Sequence, residues 1–111
     1  MEALTNRFPV KTIKGATFID FSDIIRIEAD GKHTLFFIKN LDKHIRSTLT
    51  FGSLEEMLPS NFFFTCNRSE IINLTHLKEF EKSTRTAYLT DNHRVIISED
   101  RIEDFRSKTG L

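Results

Sequence analysis

The polar groups best placed for recognition chemistry sit in one triplet, Asn67-Arg68-Ser69, between the apolar runs Phe62-Phe63-Phe64 and Ile71-Ile72. Both runs are rich in residues that favour strands. A basic, hydrogen-bonding triplet between two buried strands is held on a rigid base and turned toward solvent, where binding function concentrates. Catalytic chemistry has no comparable constellation. His33, His44, His76 and His93 are spread without metal-ligand spacing, and one cysteine cannot build a Cys-rich zinc site. No phosphate-cradling glycine loop is present. Cys66 has Arg68 nearby, but a free cysteine among apolar residues reads as a small core hydrophobe. The pairs Glu55-Glu56 and Glu99-Asp100 are explained as charges at helix N-termini. The sequence therefore implies no enzyme, no cofactor and no metal site. His44 and His93, beside turns, are expected to be solvated.

The elements that must carry the triplet read as strands. Val10 to Lys14 alternates, Gly15-Ala16 follows, and Thr17-Phe18-Ile19 returns, which reads as a hairpin turning near Gly15. Ile24 to Ala29 forms the next strand, Asp30-Gly31 is a hairpin turn signal, and Thr34 to Ile38 pairs back. A second turn region, Asn40 to Lys43, leads into a strand at His44 to Thr48. Further strands are expected at Ile71 to Asn73, Leu77 to Phe80, Thr86 to Leu89 and Arg94 to Ile97, with the last hairpin turning at Asp91-Asn92. Ser53-Leu54-Glu55-Glu56 has the form of a capping box. Leu54, Met57 and Leu58 then share a face, and Pro59 ends that helix. Ser98-Glu99-Asp100 opens a second helix, with Ile102 and Phe105 on one face and Gly110 past its end. The fold class is mainly β: antiparallel strands in small packed sheets, with a short mid-chain helix and a C-terminal helix.

One hundred and eleven residues fit a single domain. An apolar fraction of 39% supports a core built on Phe, Ile and Leu. Sixteen basic residues balance 16 acidic ones, so any attraction for a polyanion must come from local clustering. The single cysteine excludes an internal disulfide and fits a reducing compartment. The N-terminus lacks the apolar core of a signal peptide, and no apolar run approaches the roughly 20 residues that span a bilayer. The expected location is the cytoplasm, with no membrane partner. Residues 1–9 read as an N-terminal segment or remnant linker and residues 10–108 as the domain.

Four segments together resemble the LytTR family, DNA-binding domains of bacterial response regulators. Phe63 to Asn73 lies over the central family signature. Asp23 to Thr34 looks like its "D-I-x-x-I-E-A" segment, Ser53 to Leu58 like its short helix, and Arg94 to Ser98 like its closing strand. The resemblance covers roughly residues 10–108. It implies a mostly antiparallel β fold in which loops and turns, rather than a recognition helix, enter successive major grooves. It implies double-stranded DNA as partner, two copies on repeated half-sites, and a receiver domain in a longer parent protein. The implied contacts fall in three places: Lys32-His33, Asn67-Arg68, and Glu99 to Arg101. Arg forks onto guanine and Asn pairs with adenine, while Thr65, Ser69 and Lys32 suit phosphates. The candidate DNA-binding residues are thus Lys32, His33, Thr65, Asn67, Arg68, Ser69 and Arg101. Lys43, Arg46, Arg85 and Arg94 are further positive candidates.

The chain departs from the family pattern at four positions. Thr65 stands where the family has Arg, Asn67 where it has His, Glu70 where it has an aromatic, and Glu99 where it has Arg. Arg101, two residues further on in the opening turn of the second helix, is the residue that would take over from the last. These changes bear on affinity rather than on fold. They also motivate a second reading, a LytTR-like fold serving as a protein-interaction or sensory module with weak or no DNA binding. A third, a ligand-binding β domain, has no residue pattern that names a ligand.

Overall fold

The computed structural model describes residues 6–111. It is built of ten strands and two short α-helices. A hairpin of β1 (Arg7–Thr12) and β2 (Gly15–Asp20) opens the chain. Five strands make the central sheet: β3 (Ile24–Asp30), β4 (His33–Ile38), β5 (Ile45–Ser47), β6 (Phe63–Asn67) and β7 (Glu70–Asn73), in the spatial order β5-β4-β3-β7-β6. A third sheet holds β8 (Leu77–Glu81), β9 (Thr86–Leu89) and β10 (Arg94–Ile96) in the order β10-β9-β8. All pairings are antiparallel. Helix α1 (Phe51–Met57) lies between β5 and β6, and α2 (Ile102–Thr109) closes the chain. The mainly β class, the small antiparallel sheets and the positions of both helices agree with the sequence reading. No helix among the described residues is long and apolar enough to cross a membrane. Residues 1–5 lie outside the described part, and β1 begins at Arg7, inside the segment read as a linker.

The central sheet is buried on both faces, which explains its consecutive apolar runs. One face packs Ile24, Ile27, Phe36, Ile38, Phe63 and Ile71 against Phe8 and Val10 of β1 and Leu54 and Leu58 of α1. The other packs Ile25, Phe64, Cys66 and Ile72 against Ala87, Leu89, Val95, Ile97 and Phe105. Phe63 and Phe64 thus enter opposite cores, and Phe62, in the turn before β6, is 40% exposed. Two register shifts adjust this alternation. One, between Ile24 and Arg26, returns Ile27 to the first core and puts Arg26 on the side of Phe37 and Asp91. The other, between Thr65 and Asn67, turns the Asn67 side chain toward β10.

Two local expectations are corrected. The cap of α1 is Thr50, whose Oγ1 accepts from the Ser53 N–H at 3.2 Å; Ser53 is already helical and donates its hydroxyl to the Thr50 carbonyl at 2.9 Å. The helix therefore starts three residues before the expected capping box, and Glu56 is too far along to reach back. Met57 faces solvent, so only Leu54 and Leu58 bury their side chains in the first core. The second helix enters through a 3-10 turn at Glu99–Arg101 and ends on Gly110, whose φ of 82° is the left-handed cap geometry that glycine adopts freely.

Candidate nucleic-acid interface

Strand order brings three separate segments to one end of the central sheet. β3 runs antiparallel to both β4 and β7, so its last residues meet the start of each. The β3–β4 turn at Gly31-Lys32 and the β6–β7 turn at Arg68-Ser69 therefore share an edge, and the Ala29 N–H donates to the Ser69 carbonyl at 2.8 Å. The third segment is laid on β6. Ser98 donates its backbone N–H and its hydroxyl to the Cys66 carbonyl, at 2.9 and 3.1 Å. Arg101 Nε donates to the Thr65 carbonyl at 2.9 Å. Thr65, Asn67, Arg68, Ser69, Ser98 and Arg101 line one open cleft, with Phe51 and Glu55 on its far wall.

Each candidate residue has a distinct situation there. Arg68 is exposed, and no side-chain hydrogen bond or ion pair holds it among the described residues. Glu70, an obvious partner for it by sequence, is turned instead to Asn67 and His93. Asn67 uses its whole side-chain amide inside the protein. Oδ1 accepts from the Ser69 N–H at 2.9 Å and the Ser69 hydroxyl at 3.2 Å. Nδ2 donates to the Ile96 carbonyl at 2.9 Å and to Glu70 Oε1 at 3.2 Å. An amide offers two donors and two acceptor positions, so Asn67 holds the turn that displays Arg68 and Ser69. Asn73 does the same at the next turn: it is 1% exposed, donates to the Phe21 and Ile24 carbonyls, and accepts from Thr75.

Arg101 is partly committed as well. Its guanidinium lies 4.6 Å from the Phe64 ring centroid and Nη1 pairs with Asp104 at 3.0 Å. Thr65 is half-buried, and its carbonyl is the acceptor for Arg101. Lys32 is exposed at the tip of its turn, whose Gly31 has φ 61°. His33 begins β4, with Arg46 Nη2 3.3 Å from its Nδ1. Arg46 also pairs with Asp30 at 3.6 Å, so this further basic residue belongs to the same edge. Lys43 sits at the opposite end of β4, while Arg85 donates to the Ile97 carbonyl and Arg94 is exposed on β10. The edge carries Lys32, Arg46, Arg68 and Arg101, offset by Asp30, Glu55, Asp100 and Asp104.

Cys66, inside this framework, is fully buried, and its thiol is pushed well above the ordinary range. Burial is the main cause; Glu70 adds to it and Arg101 opposes it. A thiol held neutral is a poor nucleophile, in keeping with its reading as a core residue.

One cluster was not legible by spacing. His93, expected to be solvated, is half-buried with Nε2 3.0 Å from Glu70 Oε2 and 3.9 Å from Glu28 Oε2. The β9–β10 turn folds over the outer part of β3 and β7, which brings residues 28, 70 and 93 together. Only the alternation of Glu28 with Arg26 on β3 hinted at a polar patch on that face.

Known proteins agree with this architecture. The chain is 28% identical over 93 residues to the sensory transduction protein LytT of Enterococcus faecalis, covering 80% of this chain and 37% of that protein. It is 25% identical over 112 residues to the sensory transduction protein LytR of Staphylococcus epidermidis, covering 98% of this chain and 44% of that one. The chain thus spans less than half the length of these relatives. A solved structure from Bacillus cereus, described as the LytTr DNA-binding domain of a methyl-accepting/DNA response regulator, superposes with a TM-score of 0.80 at 26% identity, over 96% of this chain and 98% of that one. Residues 14–110 match the family model of the LytTr DNA-binding domain, and the chain belongs to that family.

Proposed function

We propose that this domain binds double-stranded DNA sequence-specifically and acts as the output domain of a two-component response regulator. The observation that carries the reading is the shared edge. Three polar segments distant in sequence, around Lys32-His33, Arg68-Ser69 and Ser98 to Arg101, meet at one end of a sheet buried on both faces. A rigid base with projecting turns suits insertion into major grooves. Arg68, without a side-chain partner among the described residues, is the base reader; an arginine fork fits guanine O6 and N7. Ser69, Thr65 and Lys32 set register on phosphates. Asn67 enters as the residue that positions the central turn, and Arg101 as a partly committed charge beside it. His33 completes the outer turn.

The same reading places two copies on repeated half-sites and a receiver domain elsewhere in a longer cytoplasmic parent protein. The matched relatives, more than twice as long as this chain, support the longer parent. No catalytic step is assigned. Selection of bound sequences from a random duplex library tests the proposal. The expected result is an enriched motif repeated at about one helical turn, with affinity that falls steeply with salt as phosphate contacts are screened. No enrichment, together with no binding at low salt, overturns it. The mixed charge of the edge, with Arg46 and Arg101 both paired to aspartates, favours the alternative of a protein-interaction module in that event.

A further inference from the structure

Glu28 on β3 and Glu70 on β7 stand directly opposite each other in the central sheet. Like charges in that relation destabilise a strand pair. Both carboxylates are substantially buried, with side chains 30% and 21% exposed. His93 reaches over them from the β9–β10 turn, and one ligand atom from each of the three residues lies within 4.8 Å of the others. Among the described residues, the permanent cation paired with these carboxylates is Arg26, which contacts Glu28 and, through Nε at 3.2 Å, Asp91. Glu28, Glu70 and Asp91 against Arg26 leave two negative charges uncompensated when His93 is neutral.

We propose that Glu28, Glu70 and His93 form a site for a divalent transition-metal ion of the zinc class. One imidazole nitrogen and two carboxylate oxygens from three different elements are a donor set such ions accept, and the imidazole selects against calcium and magnesium. Ligand bonds of roughly 2.0–2.2 Å imply donor separations near 3.3 Å around a tetrahedral ion. The observed separations from His93 Nε2, 3.0 Å to Glu70 and 3.9 Å to Glu28, bracket that value. The two carboxylates are oriented by neighbours, as metal ligands require: Arg26 holds Glu28 at Oε2, and Asn67 Nδ2 donates to the other oxygen of Glu70. The His93 backbone N–H donates to Asp91 Oδ1 at 3.0 Å, which fixes the turn that carries the imidazole. Arg26 stays anchored when it shares Glu28 with an ion, because Asp91 holds its Nε and the Phe37 ring centroid lies 3.6 Å from its guanidinium carbon. The bound ion ties the β9–β10 turn to the central sheet. The site stands independently of the DNA-binding reading.

Isothermal titration of the metal-stripped protein with zinc chloride near neutral pH, with native mass spectrometry for stoichiometry, tests the site. One ion per chain is expected. His93→Gln and Glu70→Gln each lower affinity at least ten-fold, whereas Glu56→Gln, at an exposed carboxylate of α1, leaves it unchanged. Cobalt substitution gives visible bands of a low-coordinate ion that disappear in His93→Gln. Circular dichroism of the metal-free variants separates lost binding from lost fold; a variant that does not fold is replaced by Glu28→Gln, read the same way. Absence of stoichiometric binding, or binding unaffected in folded His93→Gln and Glu70→Gln, overturns the proposal.

Discussion

The side-chain amide of Asn67 donates to the main-chain carbonyl of Ile96 at 2.9 Å, tying the β6–β7 turn to β10. That bond joins the central sheet to the third sheet at the place where Arg68 projects. The other three bonds of the amide, to Ser69 and Glu70, close the turn on itself. A residue used this fully fixes where its neighbour points.

Asn67→Ala therefore acts through Arg68. Removing the amide leaves the turn's polar groups without partners and lowers stability by about 1–3 kcal/mol. The sharper measurement is a double-mutant cycle on DNA affinity. In the native background Arg68→Ala carries its full cost, and in the Asn67→Ala background most of that cost disappears. Strict additivity of the two substitutions would show that Asn67 does not position Arg68.

Arg68 itself is the direct test of base readout. Arg68→Ala is expected to weaken binding to the selected sequence by about 1–3 kcal/mol, the worth of one bidentate contact. Arg68→Lys keeps the charge but not the fork, so it recovers little of that loss. The signature of a reader is relaxed preference at one base position. A uniform loss across all sequences, with a shallower salt slope, reassigns Arg68 to a phosphate.

Cys66 predicts an alkaline dependence of stability. Its thiol is raised in the folded state by burial, while in the unfolded chain it titrates near roughly 8.5. A group whose folded value is raised contributes stability that is complete below the unfolded value and is lost as pH rises above it. Denaturant midpoints should therefore fall above about pH 9 in the native protein and fall less in Cys66→Ala. A thiol reagent at neutral pH should leave the folded protein untouched and label the unfolded chain. Rapid labelling of the native protein would contradict the buried, neutral thiol.

Much of this framework is readable without coordinates, and the exceptions share a cause. Alternation and turn residues place the β1–β2, β3–β4 and β9–β10 hairpins because those signals are local. Thr50 does not stand out as a cap because Ser53 and Glu56 satisfy the same local pattern three residues later, and only the actual start of α1 decides between them. The shared edge of the Lys32 and Arg68 turns follows from the pairing of β3 with both β4 and β7, which no local pattern encodes; only the family resemblance implies it. The Glu28, Glu70 and His93 cluster depends on one such pairing plus the path of a turn in another sheet. Asn67 shows a finer limit: its residue type permits base contact or turn closure equally, and the register shift at Cys66 settles its direction.

The three consecutive phenylalanines offer a last test, because the same substitution meets three environments. Phe62 is 40% exposed and outside any strand, so Phe62→Ala should cost clearly less than either neighbour, about 1 kcal/mol. Phe63 lies in the first core, with its ring 6.1 Å from that of Phe21. Phe64 lies in the second, where its ring meets that of Phe105 at 5.6 Å and supports the Arg101 guanidinium. Each of the last two should cost about 3–5 kcal/mol as alanine, from lost burial and the cavity left behind. They should differ in a second readout. Phe64→Ala removes the surface on which Arg101 rests, so the folded fraction should also bind DNA less tightly than its stability alone explains. Phe63→Ala should lose stability without that extra loss. Chemical denaturation gives the first comparison, and DNA titration at a temperature where both variants remain folded gives the second. Equal affinity of the two folded variants would separate Arg101 from the interface.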